Sequence, residues 1–330
     1  VQESDVPDAH LIADLTALGG AGVQVSSFEP ERPPEPASGV IRIGVDREGA
    51  LRFGPMEAFD ILLTTAAGAP RPWVSVKPAR LDAALADLAD KVAAQPAAAA
   101  ALVQVLRISS DVPFDRALAM ESLAYSMLLA SAGFAAWRAA NPARSRPDDG
   151  EPRVRVEVGR AIEIRLARPA ARNAFDARMR DELCAALTFA ADHPDRLPVT
   201  LIGDGPVFSA GGDLDEFGRA GDPGLAHLVR MLRSPAWSAH RLGERLSVRV
   251  HGACVGAGIE VPAAAGRIAA DPGAFFRLPE VGMGLIPGAG GTVTIPRRIG
   301  RHRACWMALT GGDIDLATAL SWRLVDEVAA

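Results

Sequence analysis

The sequence predicts an α/β protein, and three features predict it. In the second half of the 330 residues, short apolar strands run repeatedly into glycine-rich turns and then into helix starts. Ahead of that half lie long stretches whose apolar residues recur at helical spacing. Between the two, NPARSRPDDGEPR at 141–153 replaces alanine-rich helical text with proline, charge and glycine, and reads as a linker. With 49% apolar residues the chain can bury a large core, as one big domain or two smaller ones.

Residues 1–140 form the N-terminal region. A proline-rich stretch, FEPERPPEPASG from Phe28 to Gly39, separates a short first segment from IRIGVDREGALRFG. There, alternation around a DREG turn predicts a hairpin. FDILLTT follows as a buried strand. In ARLDAALADLADKVAAQP, Leu81, Leu85, Leu88 and Val92 fall on one helix face, and VPFDRALAMESLAYSMLLASAGFAAW carries a second apolar stripe. Met120, Tyr125 and Met127 on that stripe are read as core or subunit-contact residues.

In the second half, RVRVEVGRAIEIRLARP predicts two short strands around Val158-Gly159-Arg160. The next segment is a helix with Asn173 and Asp176 as caps and Met179, Leu183, Ala186 and Leu187 on one face. VTLIGDG and LSVRVHG are further strands, each running into a glycine turn.

Composition excludes some function classes. The net charge is −5 with no lysine/arginine block, which disfavours a nucleic-acid duplex as partner. Cys184, Cys254 and Cys305 lie far apart without CxxC spacing, the usage of a reduced, intracellular, metal-free protein. No run of about 18 apolar residues and no basic-then-apolar leader is present, so neither a membrane span nor a secretory signal is expected, and the expected location is cytoplasmic. GGAG at 19–22 lacks the strand and acidic residue of a dinucleotide fingerprint.

Two glycine turns carry the chemistry: VFSAGGDLDEF at 207–217 and the GAGIE that begins at Gly256. Glycine or alanine at a helix start lets backbone N–H groups approach an oxygen closely, and the helix dipole favours negative charge there. Two such turns could each supply one N–H to a developing oxyanion, with Glu260 and Glu280 placed downstream for proton transfer. Each turn alone also has a plain reading as a tight connection, and each glutamate as solvated surface.

From about Val154 to Val328 the sequence resembles the enoyl-CoA hydratase/isomerase, or crotonase, superfamily. Four motifs carry the resemblance in order: IEIRLARPAARNAF, VFSAGGDLDEF, VRVHGACVGAGIE and FRLPEVGMGLIPGAGGT. It implies a spiral core of ββα repeats over 154–330, acting on an acyl-CoA thioester. By position, Ala210 and Ala257 would be the oxyanion donors and Glu260 and Glu280 the paired carboxylates, with Gly288 in the turn beside the water site. Gly211, Gly212, Asp213 and Gly256 would flank the substrate, and Arg172 would either meet a CoA phosphate or stay solvated. The implied reaction is hydration of a 2-enoyl-CoA or its reverse. Isomerase, other lyase or hydrolase chemistry and a non-catalytic acyl-CoA-binding assembly subunit are the alternatives. No cofactor beyond the CoA moiety, no nucleic-acid or membrane partner, and a homotrimer or dimer of trimers are likewise implied.

The sequence departs from the family pattern in three places. Ala257 stands where glycine is common, and Leu278 is apolar where some relatives are polar. Relatives usually follow the LTGGDIDLATALSWRLVDEV segment with two or three covering helices, whereas this sequence stops at Ala330. Two readings stand for the helices between 79 and 140: the covering module in permuted order, or an unrelated appendage. His251 is read as packed or touching substrate, and Cys254 as a small buried apolar residue.

Overall fold

The computed structural model describes residues 22–31, 39–144 and 150–329. The first N-terminal segment, most of the proline-rich spacer, the GGAG motif up to its last glycine and the centre of the linker lie outside the described residues.

Four parallel strands open the described chain: β1 (Val23–Ser27), β2 (Ile41–Asp46), β3 (Ile61–Thr64) and β4 (Val74–Ser75), in the order β1-β2-β3-β4. The FDILLTT strand is present as β3, but the hairpin expected around DREG is not. Its first half is β2, and both neighbours of β2 are parallel. The Asp46 carboxylate accepts the N–H groups of Ala50 (3.1 Å) and Leu51 (2.9 Å) and the Thr64 hydroxyl (2.9 Å). The turn residues therefore fold onto the end of their own strand, and no return strand forms.

Helices α1 (Leu81–Ala94), α2 (Pro96–Ser109), α3 (Phe114–Leu129) and α4 (Ala132–Ala140) follow. Leu81, Leu88 and Val92 are buried as their spacing requires. Asp60, 1% exposed, ties β3 to α2: its carboxylate accepts Arg107 Nε (2.8 Å) and Nη2 (2.7 Å) and the Arg42 N–H (2.8 Å).

Beyond the linker, β5 (Val154–Val158) and β6 (Ile162–Leu166) form the expected antiparallel pair. Helix α5 (Ala177–Asp192) buries Met179, Leu183, Ala186 and Leu187. Asp176 is its cap, accepting the Met179 N–H at 2.7 Å. Asn173 has a different role, described below. Next come β7 (Val199–Gly203), α6 (Pro223–Leu232), α7 (Pro235–Leu242), β8 (Leu246–Val250), β9 (Ala253–Val255), α8 (Ala257–Glu260), β10 (Arg267–Ala270) and β11 (Phe275–Arg277). The chain closes with α9 (Gly291–Ile299), α10 (Arg301–Thr310), β12 (Ile314–Asp315), α11 (Leu316–Trp322) and β13 (Glu327–Val328).

One sheet has the order β13-β10-β8-β7-β6-β5, and a smaller one β12-β11-β9. Because β8 and β9 are joined by His251-Gly252 alone but belong to different sheets, the chain turns at each repeat from one layer to the next. Helices α2 and α3 pack on α9, and α1 and α2 on α10, so a single buried apolar cluster runs from the helical region into both later sheets.

Replacing Asp60 by alanine would strand the Arg107 guanidinium without its buried counter-ion. Urea denaturation of Asp60→Ala is expected to show a loss of about 3–5 kcal/mol, the cost of breaking a buried pair.

Candidate active site

The first glycine turn is built by Asn173. Its Oδ1 accepts the Arg168 N–H at 2.9 Å, while its Nδ2 donates to the carbonyls of Asp204 (2.8 Å) and Phe208 (3.0 Å). The side chain pins the strand end to the start of VFSAGG. From there the backbone runs between two neighbours. Phe208 and Ser209 donate to His251 and Ala253, Ala210 donates to Arg172 (2.9 Å), and the Gly211 carbonyl accepts from Phe175 (2.8 Å).

This pattern revises one expected donor. The Ala210 N–H is spent on the Arg172 carbonyl, and the Gly211 N–H on Ser209 Oγ at 3.1 Å. Two residues further on, Gly212 lies in an isolated parallel bridge opposite Phe175, whose own N–H and C=O bond to Gly211 and Asp213. That geometry turns the Gly212 N–H away from Phe175, and it has no acceptor among the described residues. Gly212 lines a cavity of about 370 Å³; Ala210 and Gly211 do not.

Ala257 lines the same cavity as the first residue of α8, and its N–H likewise has no acceptor among the described residues. The turn before it is tight: Gly256 has φ +49°, and a Cβ there would lie 2.5 Å from Glu280 Oε1 and 3.6 Å from Glu260 Oε1. Gly256 is therefore the point on which both carboxylates converge, although it does not itself line the cavity.

Glu260 is the last residue of α8 and 2% exposed; its Oε2 accepts the N–H groups of Ala289 and Gly291, both at 2.8 Å. Glu280 is 7% exposed and its Oε2 has no hydrogen-bond partner. A third acid, which the motifs did not single out, joins them. Glu121 of α3 accepts the Gly290 N–H (2.7 Å) on Oε1, and the Thr292 N–H (2.8 Å) and hydroxyl (2.7 Å) on Oε2. Its signal in the sequence was a charge on an apolar stripe, between the buried Leu118 and Leu128.

Burial pushes the Glu260 carboxyl up to about 7 against the pull of its two N–H donors. Burial, with Glu260 adding repulsion, pushes Glu121 up to about 8. Burial and then the same Glu260 charge hold Glu280 well above the usual carboxylate range.

Tyr125 packs against the core, as expected, and also lines the cavity against Gly288, where a Cβ would lie 2.4 Å from its ring. Asp213 lines the cavity too, but its carboxylate is held by Arg168 at 2.7 Å. Arg172 is in the left-handed region and does not line the cavity. His251 bonds the Gly205 carbonyl at 2.9 Å, Cys254 is fully buried and Leu278 is core. No cluster of three or more metal-ligating side chains occurs among the described residues, and no single described helix is long and apolar enough to cross a membrane.

The layered α/β fold thus brings two unspent N–H groups and the buried acids to one cavity. The family model for enoyl-CoA hydratase/isomerase matches residues 158–330, and the chain belongs to that family, with its spiral α/β core. It is 32% identical to the mevalonyl-coenzyme A hydratase of Beauveria bassiana, over 51% of this chain and 62% of the relative. It is also 32% identical to the 2,3-dehydroadipyl-CoA hydratase of Escherichia coli, over 51% of this chain and 66% of that protein. The chain thus spans somewhat under two thirds of these relatives. The enoyl-CoA hydratase of Thermoplasma volcanium superposes with a TM-score of 0.50 at 29% identity, over 54% of this chain and 72% of that one.

The raised carboxyls carry a sign for stability. Between the unfolded value near 4.5 and the folded values of about 7 and 8, the native state binds more protons than the unfolded chain, so their contribution falls as pH rises through that window. Chemical denaturation from pH 5 to pH 8 should show this decline, at most about 1.4 kcal/mol per pH unit for each retained proton. Glu260→Gln should flatten it.

Proposed function

We propose that the chain hydrates a 2-enoyl-CoA to a 3-hydroxyacyl-CoA, or runs the reverse elimination. The observation that carries this reading is the convergence on one cavity of the Gly212 and Ala257 N–H groups with Glu260 and Glu280. The thioester oxygen accepts both N–H bonds, which draws electron density from the β-carbon and stabilises the enolate formed on attack. A donor of this kind contributes about 3 kcal/mol.

One glutamate takes a proton from the attacking water as its oxygen bonds to the β-carbon, and the other gives a proton to the α-carbon of the enolate. The sum of these steps adds one water across the double bond, and proton exchange with solvent resets the dyad. Acids raised toward neutrality suit both halves of that cycle. The roles belong to the coupled pair rather than to either residue singly. Two acids, one anchored through a single oxygen and one with an unpartnered oxygen, favour hydration over chemistry that needs one acid.

We also propose that residues 81–140 are the covering helical module in permuted order. In support, α3 brings Glu121 and Tyr125 to the wall of the cavity from a segment preceding the core. A layer of helices needs contact with the core, not a particular connection to it.

The direct experiment is loss of enoyl-thioester absorbance with 2-enoyl-CoAs. Glu280→Gln is expected to lower kcat by about 10²–10⁴-fold with little change in KM. An equal loss in an exposed control such as Glu48→Gln would reject the dyad. Ala257→Pro is a second check, since proline is accepted at a first helical position and replaces the N–H with a ring carbon that cannot donate. With the fold intact by circular dichroism, kcat should fall by about 10²–10³-fold.

A further inference from the structure

Helices α3 and α6 both line the cavity, and the two meet through polar atoms. Arg230 of α6 lines the cavity. Its Nε donates to Ser122 Oγ at 3.0 Å, and its Nη2 donates to the Ser122 carbonyl at 3.2 Å and to Ser126 Oγ. Ser122 Oγ also bonds His227 Nδ1 at 2.9 Å. The guanidinium carbon stands 4.9 Å from the centre of the Tyr125 ring, a cation–π contact.

Every one of these partners is neutral. Among the described residues Arg230 has no carboxylate within ion-pair distance, and its Nη1 has no partner. Burial lowers its proton affinity, the nearby Tyr125 and Glu121 oppose that shift without pairing to it, and Arg180, which also lines the cavity, adds a smaller effect of the same sign as burial. Arg180 itself is paired with Asp181 at 2.8 Å. A half-buried guanidinium held in place by neutral acceptors, with one nitrogen unspent, is preorganised for an anion that is not part of the chain. Leu118, Leu129 and Val229 contribute apolar surface to the same cavity.

We infer that Arg230 receives a carboxylate at the far end of the acyl group, so that the preferred thioesters are those of dicarboxylic acids. This deepens the acyl-CoA reading and rests on it. The other anions on such a substrate are the CoA phosphates, separated from the thioester by the whole pantetheine arm. Arg230 lies one ring away from Gly288, because Tyr125 packs on that glycine with one part of its ring and meets the guanidinium with its face. That places the cation near the reacting end of the molecule, within reach of a short acyl chain.

Saturated thioesters bind without reacting and so separate this inference from the hydration chemistry. Calorimetric titration of the full chain should be run with hexanedioyl-CoA, hexanoyl-CoA, their eight-carbon counterparts and free CoA. The wild type is expected to bind the dicarboxylic member of at least one pair about tenfold or more tightly. Arg230→Met should bring that pair within about twofold while leaving free CoA unchanged. The inference is overturned if the wild type shows no preference in either pair. Equal weakening of monocarboxylic thioesters or of free CoA in Arg230→Met would also overturn it, marking a structural or phosphate-binding arginine. Should Arg230→Met fail to fold, Arg230→Gln, which keeps donors to Ser122 but removes the charge, takes its place with the same loss of preference expected. Absence of enoyl turnover, by contrast, would sink the hydratase reading and leave this binding result standing.

Discussion

Four consecutive N–H groups at the start of α9, from Ala289 to Thr292, are shared in alternation by two carboxylates: Glu260 takes the first and third, Glu121 the second and fourth. The first turn of a helix has no internal acceptors for these donors, and leaving each buried without a partner would cost about 1–3 kcal/mol. Here the acceptors come from α8 and α3, two elements separated by the linker and most of the first ββα repeats. The cap therefore does three things at once. It closes a buried helix end, docks the N-terminal helices on the core, and fixes one carboxylate oxygen of Glu260 while leaving the other toward Glu280. Gly291 is what allows Glu260 to approach so closely, since a Cβ there would lie 2.7 Å from Glu260 Cγ; at Gly290 a Cβ would instead meet Ala236 at 2.6 Å.

The same constraint explains the electrostatics. Packing three acids into one region with few cations is unfavourable for their charged forms, and the N–H donors offset only part of the desolvation. The chain tolerates this because protons can be retained near neutral pH, while Glu121, with both oxygens bonded, is held as a support.

Much of this was legible in the sequence, for local reasons. Helical spacing identified the faces of α1 and α5, and the glycine turns marked the two loops that reach the cavity. What escaped depended on partners distant in sequence. The DREG turn looked like a hairpin because alternation does not reveal that both neighbours of β2 arrive in parallel. Asn173 looked like a cap because its short polar side chain suits one, yet its amide is used to bind carbonyls some 31 to 35 residues away. Ala210 matched a motif by position, but whether an N–H is free depends on the strand beside it. Ala210 and Gly212 stand two residues apart and would point alike in a regular strand, but Gly211 between them has φ +89° and turns the backbone, so a motif can place the loop without naming the nitrogen.

The cavity's two sides are held by different forces. The glutamate side is anchored in the core, with Ile259 and Leu285 fully buried around it. The α6 side is attached by Arg230, His227, Ser122 and Ser126 and by the packing of Ala226 and Met231, while Leu228 and Leu232 of the same helix remain largely exposed. Individual hydrogen bonds of this kind contribute about 0.5–1.5 kcal/mol each, less than burial of the leucines would. The four-donor cap is independent of that side: no residue of α6 takes part in it, so substitutions on α6 can leave the donors and their two carboxylates undisturbed.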